Sequence, residues 1–170
     1  MGLTQSSPLE GSSRKGEAIS TDPITREFMA SAKVVQVGIQ WSLSPHTETA
    51  KCTIPVFVPT RPGFTARLCL SAHVSRIPEK YTFALLLGSE RVAALDVNPG
   101  RSHTNFRSAK RETVWDTHWQ EWPDMDHAEI DSREMTHRKW MDVFAIRFGL
   151  KINGGYRKPL HYGGEQLRLL

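Results

Sequence analysis

Two cysteines in 170 residues, Cys52 and Cys69, are too few for a zinc knuckle or a disulfide framework. Both lie in apolar stretches and read as buried free thiols of a cytoplasmic protein. Met1 to Ser31 lacks the apolar core of a signal peptide, and no run is long enough to cross a bilayer, so no membrane partner is expected. Also missing are a phosphate-cradling glycine loop, a dinucleotide fingerprint, a nucleophile elbow and a paired-cysteine motif, so no cofactor is expected. Nor is there a calcium loop or a His-x-x-x-His pair. Asp124, Asp126 and His127 supply scattered metal-type ligands, and the expectation is no metal.

What is present fits one domain: 170 residues can bury a sizeable core without staples. A net charge of +4 and a pI near 9.3 allow nucleic-acid binding without requiring it.

The chain is organised around Lys80 to Pro123. Two apolar runs, Tyr81 to Leu87 and Arg91 to Val97, flank Gly88-Ser89-Glu90, the pattern of a hairpin with both faces covered. A single buried helix is the competing reading, and Gly88-Ser89 would interrupt it. Asn98-Pro99-Gly100 is turn chemistry. Asp96 before it, and Arg101, His103 and Asn105 after it at two-residue steps, place a set of polar groups at one sheet edge. The plainer reading of these residues is a capped turn with solvated neighbours.

In chain order, residues 1–31 read as a flexible leader, with a short docking helix starting at Pro23. Lys33 to Trp41 alternates as a half-buried strand, Ala50 to Val58 makes a second, with Pro55 arguing for an edge, and Phe64 to Ser75 a third. Pro123 to Asp131 reads as a polar loop. Ser132 to Phe148 is an amphipathic helix, capped by Asp131 or Ser132 and ended by Gly149. Short spacings and the scarcity of helices predict an α+β fold: a mainly antiparallel sheet of about five to six strands with one C-terminal helix packed on it. Residues 32–153 would form the domain and 154–170 a C-terminal arm.

Arg101, Arg107, Lys110 and Arg111 form a basic loop, followed by an acidic tract that would offset it. Trp115, Trp119 and Trp122 line one side of a helix or, preferred here because Val, Thr and Trp suit a pleated surface, belong to a strand. Exposed, these tryptophans would stack on bases or anchor a protein; buried, they are core.

Three functions follow. The first is a basic protein handling nucleic acid, RNA above all, as a metal-independent ribonuclease of the toxin kind. His103 and His118 would be acid and base, Asp96 or Asp116 would orient an imidazole, and Arg101, Asn105, Arg107, Lys110 and Arg111 would contact the strand. The second is a non-catalytic protein-binding module, an inhibitor or accessory subunit, engaging its partner through Trp115 and Trp119. The third is a metal hydrolase built on Asp124, Asp126, His127 and His118.

Overall fold

A computed structural model of the chain describes residues 22–44, 46–77, 79–105 and 111–159. The first described element opens on a cap. The Asp22 carboxylate accepts from the N–H groups of Ile24 and Thr25, and Pro23 presets the first turn of α1 (Pro23–Ala30). Phe28 of α1 is fully buried in the core, so the short docking helix expected from Pro23 packs on the domain read as residues 32–153.

β1 (Lys33–Val35) is shorter than the strand expected there and pairs in parallel with Leu150–Ile152. Three residues past its end Gly38 meets Gly154, and a Cβ on either glycine would run into the other segment's backbone. Lys33 is 1% exposed, and its ammonium donates to the carbonyls of Met29, Ser31 and Phe148. It thereby satisfies carbonyls at the C-terminal ends of both helices.

β2 (Ser42–Ser44), β3 (Thr49–Val56), β4 (Ala66–His73), β5 (Tyr81–Leu87) and β6 (Glu90–Val97) form an antiparallel meander. β2 pairs with β3 only over Thr49–Lys51, so Pro55 lies where no β2 residue needs its missing N–H. Leu87 faces Glu90, so the β5–β6 connection is Gly88-Ser89, with Gly88 at φ 60°. Cys52 pairs with Leu70 and Cys69 with Thr53. The two thiols thus point to opposite faces, both free, Cys52 buried and Cys69 half-buried.

Two segments read as loops are strands. β7 (Ser102–Asn105) and β8 (Glu112–Trp115) pair as a separate antiparallel ribbon. β9 (His118–Glu121) then lies beside β6, and β10 (Asp124–Ile130) beside β9. β10 was missed because Ala128 is its one buried residue, leaving no apolar alternation to read.

α2 (His137–Arg147) begins at His137, capped by the Thr136 hydroxyl on the Lys139 N–H, and not at Ser132. Asp131 is unavailable as a cap, because its carboxylate accepts from Trp119 Nε1 at 2.9 Å and from Arg133 at 2.6 Å. Gly149, at φ 60°, ends the helix, and β11 (Leu150–Ile152) completes the pair with β1.

The main sheet is seven-stranded and antiparallel, in the order β10-β9-β6-β5-β4-β3-β2, with α2 on one face: the α+β architecture expected. Leu70, Phe83, Leu95 and Trp119 stand side by side across four strands on that face. Phe144 of α2 lies against both Phe83 and Trp119, at 5.8 and 6.1 Å between ring centroids.

Candidate functional site

Side chains alternate along a strand, so the positions between the core residues face away from α2. Ladder register lines up two rows there. Lys51, Ser71, Thr82, Asp96 and His118 cross five strands, and Pro55, Arg67, Leu86 and Arg91 cross four.

The first row carries the polar centre. Asp96 accepts from the Thr82 hydroxyl at 2.6 Å and from Arg91 at 3.1 Å, and the same guanidinium donates to Gln120. His118 lies next along, with Nε2 3.8 Å from the Asp96 carboxylate, beyond hydrogen-bond range. Its Nδ1 is 3.0 Å from the Asp116 carbonyl, and since a carbonyl only accepts, Nδ1 carries the proton. His118 is 4% exposed.

The β7–β8 ribbon roofs this end of the face. His103 packs its ring 5.5 Å from that of His118, and its Nε2 donates to the Asp126 carbonyl at 3.2 Å. Asn105, two residues on, is buried. Its amide accepts from the Ala128 N–H at 2.6 Å and donates to the Ala128 carbonyl at 3.1 Å, as a neighbouring strand would. Towards β3 and β4 the face is open: Lys51, Thr53 and Arg67 are exposed, and Cys69 and Ser71 half-buried.

Of the residues singled out in the sequence, His118 therefore lies beside both His103 and Asp96, with a ring contact to the first and 3.8 Å to the carboxylate of the second. The Asp116 carboxylate does not join them; it accepts the Gly100 N–H at 2.7 Å, and only its carbonyl reaches His118. Asn105 serves the fold. Arg101 and Arg111 are exposed at the two ends of the ribbon, while Arg107 and Lys110 lie outside the described residues. Trp119, expected as a contact, is a core residue at 2% exposure; Trp115 is 53% exposed. Among the described residues no group of three His, Cys, Asp or Glu side chains is placed to hold a metal ion, and no helix is long and apolar enough to cross a membrane.

Sequence reading missed Lys51, Arg67, Thr82, Arg91 and Gln120. Each is a single polar residue in or beside an apolar strand. The signal was the register, which a bulge at Val92 shifts by one residue so that Thr82 stands opposite Asp96 and not Leu95.

A second concavity lies at the end of the sheet near the start of α2. Its volume is about 1080 Å³, and Tyr81, Trp115, Ile130, Met135, Trp140 and Tyr156 contribute its apolar lining. Comparison with family models, with curated proteins and with solved structures found no match to the chain.

Proposed function

We propose that the protein binds single-stranded RNA across the open half of its polar sheet face. The observation that supports this reading most directly is charge. The two rows hold Lys51, Arg67 and Arg91 against one carboxylate, Asp96, which already accepts from Thr82 and Arg91. Arg67 and Arg91 stand two strands apart, roughly 10 Å, a spacing from which both can track one phosphate backbone. Hydroxyls of Thr53 and Ser71 lie between the cations and suit phosphate and 2′-hydroxyl contacts.

The rows contain no aromatic side chain, so backbone contact dominates and base preference is weak. Side chains on the face of a sheet present no helix or ribbon that enters a duplex groove, which favours a single strand.

Cleavage by two imidazoles requires each to offer a nitrogen to the phosphodiester. His118 has Nδ1 committed to a carbonyl, and burial at 4% exposure keeps its remaining nitrogen, Nε2, from a phosphodiester in solvent. The reading therefore narrows from ribonuclease to binding, with the His103–His118 contact holding the ribbon on the sheet.

Anisotropy titration of a fluorescent single-stranded RNA tests this. Wild-type affinity should fall with salt at a log–log slope of about −2 for three phosphate contacts, each worth about −0.7. Arg67→Ala should lower the slope by about 0.7 and weaken every sequence alike. An affinity unchanged in a Lys51→Ala/Arg67→Ala/Arg91→Ala variant would contradict the proposal, and RNA cleavage lost in His103→Ala would restore the nuclease reading.

A further inference from the structure

Trp115 is held in solvent by a locked turn. The next residue, Asp116, is a non-glycine residue in the left-handed region, at φ 64°. Its carboxylate accepts the Gly100 N–H and its own N–H donates to the Arg101 carbonyl, which fixes that conformation against the turn before β7. The result is a 53% exposed indole on the rim of the concavity at the start of α2. Ile130, at 60% exposure, stands on the same rim, tied there by the adjacent Asp131 N–H on the Thr117 carbonyl. Large apolar side chains kept rigidly exposed at a concave site are the anchors expected of a binding surface.

We infer that this groove receives an extended peptide segment of a partner protein, one that carries a large apolar side chain flanked by charges of both signs. Charge selects this occupant. Four cationic and four carboxylate side chains line the groove among the described residues, a balance that offers a polyanion no net attraction. Shape disfavours a second copy, since two identical concavities facing each other leave a void between them. About 1080 Å³ exceeds the usual span of single small-ligand pockets and accommodates several peptide side chains. The inference is independent of RNA binding, because none of Lys51, Thr53, Arg67, Ser71 and Arg91 lines the groove.

A displayed random-peptide library selected on the full chain supplies the probe, and a recovered peptide is then titrated against variants. Recovered peptides should share an aromatic or branched apolar residue within a mixed-charge stretch. Trp115→Ala should weaken binding about thirty-fold, the effect of losing a hot-spot anchor, while Arg67→Ala on the sheet face leaves it unchanged. Asp116→Ala should also weaken binding although the indole remains, and Asp116→Asn, which tolerates the same backbone and still accepts the Gly100 N–H, should restore it. Trp115 is half exposed, so its variant should keep the wild-type melting temperature. Recovery of no peptide, binding indifferent to Trp115, or a dimer in sedimentation that Trp115→Ala dissolves would overturn the inference.

Discussion

His137 opens α2 with its imidazole among Trp41, Tyr81, Phe83 and Tyr156, at ring-centroid distances of 4.8–5.8 Å. Its Nδ1 shares a 2.8 Å hydrogen bond with the Tyr156 hydroxyl, and its Nε2 has no acceptor. Burial pushes its pKa from 6.5 down to about 4, with Glu79 opposing the shift and Lys158 adding to it. Because the unfolded chain takes up the proton first, His137 contributes stability above pH 6.5 that is lost as pH falls to about 4. Denaturant titrations across that window should show a loss of up to about 3 kcal/mol. A His137→Phe variant should lose less over the same window. Parallel profiles for the two proteins would contradict the burial argument.

At the scale of elements, the β7–β8 ribbon is attached through side chains that imitate a strand. Asn105 satisfies both backbone groups of Ala128 where the β9–β10 register shifts, so the outer edge of β10 is blocked at its centre. Asn105→Leu leaves a buried donor and a buried acceptor without partners and should cost about 2–4 kcal/mol. Asn105→Asp keeps the acceptor but turns a second carboxylate oxygen to the Ala128 carbonyl in a buried site, so it should cost less than Leu only at acid pH, where the protonated group donates again; thermal melts of the two variants at acid and neutral pH check the order. The β5–β6 hairpin was legible because two dense apolar runs meet at Gly88, whose positive φ the turn requires. The ribbon and β10 were not, because their pairing rests on backbone and on Asn105 and leaves no periodic apolar signature. Composition also offered Asp131 as a helix cap, yet Trp119 and Arg133 hold that carboxylate from outside the local sequence. His103, His118 and Asp96 could be singled out by their chemistry, but only the β6–β9 pairing sets His118 beside Asp96. Lys51, Arg67 and Arg91 could not, because only strand register sums three solitary cations into one face.

For the molecule as a whole, the sheet separates two environments. One face buries Phe83, Leu95 and Trp119 under α2; the other carries cations and hydroxyls, roofed at one end by the ribbon and open at the other. The groove with Trp115 lies beyond the sheet's end, so RNA and a peptide should occupy separate sites and bind without competition. The most direct test maps a single-stranded RNA on the isotope-labelled full chain by NMR shift perturbation. The account predicts shifts at Lys51, Thr53, Arg67, Ser71 and Arg91 with the resonances of Trp115 and Ile130 unmoved; shifts confined to the groove, or none on the sheet face at saturating RNA, would contradict it.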